Sequence, residues 1–539
     1  MCAIWFLLSI NDFKEEYFKS FNNIKSRGPD YFSFKSIHTN LNNVSQYLNI
    51  GFHRLSIMDT TLNGSQPFEL NNNGRTIYSM CNGEIYNYKE LIVKYDLKCE
   101  SSSDCEVIPK LYEIIGFHDM LTELRGEYAI CIIDFKNKEE FEIYLGRDQT
   151  GVRPLYYGIN KNFICFSSIL KGIPDLDNTF CEQFEPASYS LIDTKYNLFE
   201  NIIKSKKLNF KRYWDITSYN NLTNYFDENI IIDHIRNIFE ESVKIRLNSD
   251  RPIGALLSGG LDSSIICAIA SKFLKEKGKR LRTFSIGLEE CTDKYYAELV
   301  SKFIDSDHTH YQLSSQEFVD ALPNIVKEIE TYDTTTIRAS TGQYLISKII
   351  SEKEDIKVLL IGDGSDELCS GYMYFHNSPD ENESHKENIR LVKDIHKYDS
   401  QRADRGISSN GLEARVPFLD KKFIDFYLQI DPLLRIPRKY KDKNIEKFLL
   451  RKAFIGYLPE EVLWRPKEAF SDGVSSLKKS WFSIIQELAE LKYTDEEYLL
   501  KSSKINHCKP QSKESLMYRE YFETIFSKNV TNVIPYYWL

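Results

Sequence analysis

Eight residues, Leu257-Ser258-Gly259-Gly260-Leu261-Asp262-Ser263-Ser264, hold two glycines, three hydroxyls and one carboxylate. They follow an apolar run, 253–257, and open a helix-like stretch, 263–275. A strand, a glycine turn and a helix in that order aim unpaired backbone N–H groups and a positive dipole end at an anion. Ser258, Ser263 and Ser264 add hydroxyl donors, and the two glycines let a phosphate approach the backbone closely. Asp262 would repel a bare phosphate, so its place implies a divalent cation between them. The glycine-lysine-serine ending of the kinase and GTPase loop is absent, which weakens those readings. An ordinary strand-to-helix turn is the bland alternative.

Two further sites carry chemistry. Gly362-Asp363-Gly364-Ser365-Asp366-Glu367 closes a second buried-strand run, 356–361. Cys2 follows Met1 directly, where a small residue permits removal of the initiator methionine. The α-amine so exposed titrates at about 7.7–8.0 and can serve the thiol as its own base.

The elements that must hold these groups change character along the chain. Up to about Leu198 short alternating strands are expected at 3–10, 75–81, 127–134, 142–146 and 162–167, with hairpin turns at 71–74 and 136–140. The interval 199–227 is polar and irregular and takes the boundary, giving expected domains of 1–205 and 228–539. Beyond it a helical pattern at 230–246 leads into strand, helix and a further strand at 281–287. Strands alternating with helices imply a mostly parallel sheet with ligands at the strands' carboxyl ends, where both glycine turns lie. After about Asp380 the chain reads mainly helical, with capping or breaking prolines at Pro432, Pro437 and Pro459.

Bulk properties narrow the function classes. At 539 residues the chain exceeds a single core. A net charge of −9 offers no phosphate-tracking surface for nucleic acid. No apolar run reaches the roughly 18 residues of a membrane span, and no signal-peptide order opens the chain. Eleven cysteines without metal spacing read as reduced thiols, so a cytoplasmic location is expected.

Arg27-Gly28-Pro29-Asp30, Gly51-Phe52-His53-Arg54-Leu55, Cys81-Asn82-Gly83-Glu84-Ile85-Tyr86-Asn87, Ser103-Asp104-Cys105-Glu106 and the string 146–155 occur in that order. Together they resemble the class II glutamine amidotransferases. The resemblance implies an Ntn-hydrolase αββα sandwich in which Cys2 attacks the amide of glutamine and ammonia leaves. It implies that Asn82 and the Gly83 N–H hold the oxyanion. Arg54 would bind the substrate carboxylate in a two-pronged fashion. Glu84 and Asp104 would meet its ammonium end, and Leu55 and Ile57 complete the expected glutamine site.

The serine-glycine turn resembles the pyrophosphate loop of ATP pyrophosphatases, which cleave ATP between its α and β phosphates. With Thr283-Phe284-Ser285-Ile286-Gly287-Leu288, Glu330-Thr331-Tyr332-Asp333, 335–340, 411–420 and Trp464-Arg465-Pro466-Lys467-Glu468-Ala469-Phe470-Ser471-Asp472-Gly473, the second half resembles the asparagine synthetase family. That implies an α/β domain in which the β-carboxylate of aspartate attacks the α-phosphorus of ATP, and ammonia then displaces AMP. ATP would meet Leu257, Ser258, Gly259, Gly260, Asp262, Ser263, Ile286, Ile361 and Gly362, with Leu257 and Ile286 flanking the adenine. Asp262 and Asp366 would hold Mg2+, with Lys467 on the polyphosphate. Thr335 and Arg338 would bind aspartate, and Asp363 would position or deprotonate the attacking ammonia. The implied partners are the small-molecule substrates, with no nucleic acid or membrane, and a homodimer is left open.

Two departures stand out. Ala3 replaces the family's glycine. It impairs glutamine cleavage if position 3 needs φ > 0 or close substrate approach, and is harmless if the backbone there is ordinary strand. The impaired case would leave a synthetase fed by free ammonia. Asp363 replaces a glutamate, withdrawing the charge by one methylene, about 1.5 Å, which predicts a slower amide-forming step. An adenylate-forming β-lactam synthetase fits less well, since those proteins generally lack the N-terminal cysteine and the 466–471 string. A non-enzymatic sensor fits poorly because Cys2 and Lys467 are both present.

Overall fold

The computed structural model describes residues 1–538 apart from 11, 13, 42–43, 73, 138–139, 194–197, 219–226, 469 and 477–478. Parts of both expected hairpin turns, residues 219–226 of the expected linker, and Ala469 of the lysine-bearing string therefore lie outside the described residues. The chain forms two compact units. The first comprises 1–215 with 408–412 and 522–535, and the second 216–407, 413–521 and 536–539.

The first unit is built on two six-stranded sheets. One runs Phe180–Gln183, Tyr156–Ile159, Phe163–Ser167, Ala3–Ser9, Val44–Arg54, Tyr31–Leu41 from edge to edge. The other runs Phe210–Arg212, Ser188–Asp193, Phe141–Arg147, Gly126–Phe135, Arg75–Ile85, Phe68–Asn72. All neighbours in both sheets pair antiparallel. Ile4, Phe6 and Leu8 of the first sheet share one core with Met80, Ala129, Cys131 and Ile133 of the second. The intervening Trp5 packs outward on Phe21 of the helix Glu15–Asn22, and Tyr128 bonds outward to Leu121 in the helix Val107–Glu123. Helices cover both outer faces, so these central strands read as continuous rather than alternating apolar runs.

The string 146–155 proves architectural. Asp148 accepts from the backbone N–H groups of Tyr128, Thr150, Val152 and Arg153 at 2.9–3.2 Å. Arg147 donates to the carbonyls of Gly151, Arg153 and Phe184, and Arg153 pairs with buried Glu127 at 2.8 Å.

The second unit centres on a five-stranded, wholly parallel sheet ordered Asp307–Gln312, Arg282–Gly287, Ile253–Leu256, Val358–Leu360, Glu413–Arg415. The chain starts at the central strand 253–256, builds outward on one side, then crosses to the other at 358–360. That reversal makes 253–256 and 358–360 the flanks of a topological switch point. The two glycine turns follow these two strands. They meet there: a methyl group on Gly362 would lie 3.0 Å from the Ser263 nitrogen. Pro432 opens the short helix Pro432–Arg435, and Pro459 caps Glu460–Leu463.

Candidate functional site

In the first unit Cys2 lies at the mouth of the strand Ala3–Ser9, half-buried, with its thiol 3.6 Å from the Leu55 carbonyl. Ala3 is buried, extended and paired with His53 in the sheet, so its methyl group asks nothing unusual of the backbone. Arg27, absent from the expected site, donates from Nε to the Cys2 carbonyl at 3.1 Å and from Nη1 to Ser408 Oγ at 2.7 Å. Across the sandwich, Asn82 and Gly83 sit within the strand Arg75–Ile85. Asn82 is fully buried, yet neither its amide nitrogen nor its oxygen has a partner. A buried amide left open this way is costly unless a ligand completes it. Gly83 has φ +151°, and a Cβ there would collide with the Glu127 carbonyl at 1.9 Å.

Leu55, Ile57, Glu84 and Asp104 are all buried. Asp104 Oδ2 accepts from the Ile85 N–H at 2.6 Å. Arg54 departs from expectation. Its terminal nitrogens donate to the carbonyls of Met58, Asp59 and Thr61 and to Ser65 Oγ, so its fork is turned onto its own loop.

In the second unit the switch point opens into a cavity. Leu257, Ser258, Gly260, Asp262, Ser263, Ile286, Ile361, Gly362, Asp363, Asp366 and Lys467 all line it. Gly259 lies outside the lining but belongs to the same turn. Ser258 and Ser263 hydroxyls meet at 3.1 Å. Gly260 caps the helix Leu261–Glu276 without a side-chain bond, leaving first-turn N–H groups for an anion. Ser264 is fully buried behind the turn and does not reach the cavity.

Two carboxylates converge on one buried lysine. Lys447 Nζ lies 2.7 Å from both Asp262 oxygens and 2.6 Å from Asp366 Oδ1, while Lys467 Nζ lies 2.6 Å from Asp366 Oδ2. Burial raises the Asp366 pKa, but the two ammonium groups more than reverse it and hold it below the usual carboxylate range. Lys447 sits in the left-handed region at φ 55°, ψ 35°, strained backbone for a lysine. Gly371 makes room for the cluster, since a methyl group there would meet Asp366 Oδ1 and Lys447 Cε at 2.1 Å. Nothing in the spacing around 447 singles out this lysine from its basic neighbours Lys443, Arg451 and Lys452.

Asp363 faces the same cavity. Arg402 Nη2 bridges Asp363 Oδ1 at 2.6 Å and Asp399 Oδ1 at 2.7 Å, with Gln343 Nε2 3.5 Å from Asp363 Oδ2. Burial raises the Asp363 pKa, with Arg402 opposing and Asp399 adding to the rise. The expected aspartate pair lies elsewhere. Thr335 and Arg338 are not part of the cavity wall, and Arg338 holds Glu514 in a bidentate ion pair beneath Phe482.

Asp293 is a cavity-lining carboxyl that sequence reading missed. It is buried, and its Oδ2 has no partner. Burial pushes it up to about 8, with Arg465 and Lys467 opposing and Glu468 reinforcing. The folded protein keeps this proton up to about pH 8, whereas an unfolded chain releases it near 3.9. Stability is therefore lost as pH rises through that window. Asp293→Asn should melt above the parent at pH 8, by a difference on the order of a few kcal/mol, and converge with it toward pH 4. Equal offsets in melts at pH 5 and pH 8 would refute this.

Family models match both units: one described as "Glutamine amidotransferase domain" over residues 1–210, and "Asparagine synthase" over 234–391 and 377–532. The chain is 42% identical over 527 residues to the "Probable asparagine synthetase (glutamine-hydrolyzing)" of Acanthamoeba polyphaga mimivirus, covering 96% of this chain and 92% of that one. It is 38% identical over 560 residues to the glutamine-hydrolyzing asparagine synthetase of Mus musculus, covering 100% and 96%. The Homo sapiens protein of that name is 37% identical over 555 residues, again covering 100% and 96%.

Proposed function

The chain belongs to the glutamine-hydrolysing asparagine synthetase family, and from that premise we propose how its residues divide the reaction. The enzyme is a carbon–nitrogen ligase that makes L-asparagine from L-aspartate and L-glutamine at the expense of ATP. Aspartate and ATP give β-aspartyl-AMP and pyrophosphate. Glutamine and water give glutamate and ammonia, and ammonia attacks the adenylate to yield asparagine and AMP.

In the first unit Cys2, trimmed of Met1, is the nucleophile. Arg27 fixes the Cys2 carbonyl, and the open amide of Asn82 with the Gly83 N–H receives the oxyanion. Leu55, Ile57, Glu84 and Asp104 enclose the substrate. Arg54 takes the glutamine carboxylate by exchanging loop carbonyls for it. Ala3, extended in its strand, leaves this half competent.

In the second unit the pyrophosphate loop receives the ATP phosphates, with Leu257, Ile286 and the Ile361–Gly362 backbone around the base. Asp262 and Asp366 suit Mg2+, because both carry hard oxygens on the cavity wall, held close together by the Lys447 ammonium. Among the described residues no cluster of three or more potential ligands stands ready for a metal. A substrate-borne ion that keeps waters and phosphate oxygens needs only two carboxylates. When bound, such an ion would neutralise polyphosphate charge. Lys447 and Lys467 supply the remaining positive charge to the leaving pyrophosphate. Thr335 and Arg338 serve aspartate only where Arg338 exchanges Glu514 for the substrate carboxylate. Asp363 directs the incoming ammonia. None of the eleven cysteines, all of them described, is in a disulfide, and no described helix is long and apolar enough to cross a membrane. A reducing cytoplasm suits such a chain.

The observation that carries this division is the meeting of Asp262, Asp366, Lys447 and Lys467 at the sheet's switch point. Assay of AMP, pyrophosphate, glutamate and asparagine with all three substrates tests it, and ADP as the nucleotide product would end it. Asp363→Glu restores the missing methylene and should raise turnover severalfold. Unchanged or slower asparagine formation would reject that role for side-chain length.

A further inference from the structure

Trp538 is fastened at three points, one of them Asp399 of the wall that carries Asp363. Its indole Nε1 donates to Asp399 Oδ2 at 2.9 Å, and its backbone N–H donates to Asp333 Oδ1 at 2.8 Å. Its ring stacks on Tyr398, with centroids 4.2 Å apart and 15° between planes. Tyr536 secures the same stretch, accepting from Tyr398 Oη at 2.7 Å and donating its own hydroxyl to Asp394 at 2.6 Å. Trp538 is buried, as are Asp333 and Tyr398.

Both acceptors lead to one carboxylate. Asp399 divides its oxygens: Oδ2 faces Trp538, and Oδ1 accepts from the Arg402 Nη2 that also holds Asp363. The indole N–H is the shorter of two bonds to Oδ2, the other coming from the Tyr372 hydroxyl at 3.5 Å, and together they set the rotation of Asp399 that aims the Arg402 fork at Asp363. Asp333 likewise divides its oxygens. Oδ2 accepts from the Thr336 N–H at 2.8 Å and Oγ1 at 2.7 Å, capping the helix Thr334–Lys353, while Oδ1 takes Trp538. That helix brings Gln343 into the cavity, 3.5 Å from Asp363 Oδ2. A buried indole N–H always needs an acceptor, and packing alone would be served by any carbonyl. Here the indole N–H selects a charged group of the cavity wall, and the neighbouring backbone N–H selects a second carboxylate that leads to the same place.

We propose that Trp538 is a positioning residue for amide formation, setting Asp363 where ammonia meets the aspartyl adenylate. Its role rests on the part given to Asp363 above. Trp538→Phe keeps an aromatic ring beside Tyr398 and removes the indole N–H together with part of the ring. In the full-length enzyme with ammonium as nitrogen source, asparagine formation should fall about tenfold. Pyrophosphate released per asparagine should rise severalfold, because adenylate that waits is hydrolysed to aspartate and AMP. The smaller ring lowers the melting temperature, but pyrophosphate formation itself should hold within about twofold, and Asp363→Asn should raise the same ratio. If Asp363→Asn raises it and Trp538→Phe leaves rate and ratio unchanged, the role of Trp538 is overturned while that of Asp363 stands. If Trp538→Phe lowers adenylate and amide formation together with the melting temperature, Trp538 is structural and the inference fails. An unchanged ratio in Asp363→Asn removes both.

Discussion

Cys2→Ala abolishes asparagine formation from glutamine, by about 10³-fold or more, and leaves formation from ammonium salts within about twofold. The expectation follows from where the chemistry sits. The thiol belongs to the sandwich unit, beside the Leu55 carbonyl, with the Arg27 guanidinium on the Cys2 backbone carbonyl. Every group assigned to adenylation lies in the parallel-sheet unit. Cys81 and Cys105, the thiols of the neighbouring sequence motifs, are poor substitutes because both are buried, and a hydrogen bond to Cys81 and burial push Cys105 well up. Initial rates with each nitrogen source, together with glutamate release, decide the matter. Glutamine-dependent synthesis surviving in the variant would remove the thiol from the mechanism. Equal loss with ammonium would point to damaged folding instead.

Lys467→Ala should lower AMP and pyrophosphate formation about 10²- to 10³-fold and spare glutamate release. Lys467 reaches 2.6 Å from Asp366 at the cavity wall, and its side chain is about one-fifth exposed. Its removal should therefore leave the melting temperature nearly unchanged. Lys447 is the poorer test. It is 1% exposed and pairs with two carboxylates, so its loss would leave buried charge uncompensated and unfolding would mask chemistry. Full adenylation by Lys467→Ala, scored as pyrophosphate release with aspartate present, would remove that lysine from the polyphosphate.

Much of the architecture was legible because buried strands and glycine punctuation are local signals. The expected strands at 127–134 and 142–146 match Gly126–Phe135 and Phe141–Arg147, and both glycine turns end strands as expected. Asp307–Gln312 gave no such signal. Its residues, Asp-His-Thr-His-Tyr-Gln, are polar throughout, and it is a strand because it completes the sheet edge beside Arg282–Gly287. Cavity residues inside motifs, such as Asp262 and Lys467, could be read in advance. Lys447 and Arg402 could not, since each acquires its meaning from a carboxylate far away in the chain, 185 positions in the case of Asp262. Arg338 shows the converse. Its motif suggested a ligand, but Glu514, 176 positions on, already fills its fork. The 146–155 string carries its family resemblance through structural charges: Arg147 and Asp148 serve the backbone, and Arg153 pairs with Glu127.

The amino terminus has its own timetable. Met1 is wholly buried, and its ammonium donates to the Leu412 carbonyl at 3.1 Å, within a unit that also needs residues 522–535. For Cys2 to act as the nucleophile proposed above, an aminopeptidase would have to reach the Met1–Cys2 bond while the nascent chain is still short. At ribosomal speeds, roughly 20–80 s pass before Leu412 is even polymerised. On that proposal trimming belongs to translation, and protein refolded from an untrimmed chain would keep the Met1–Cys2 bond buried.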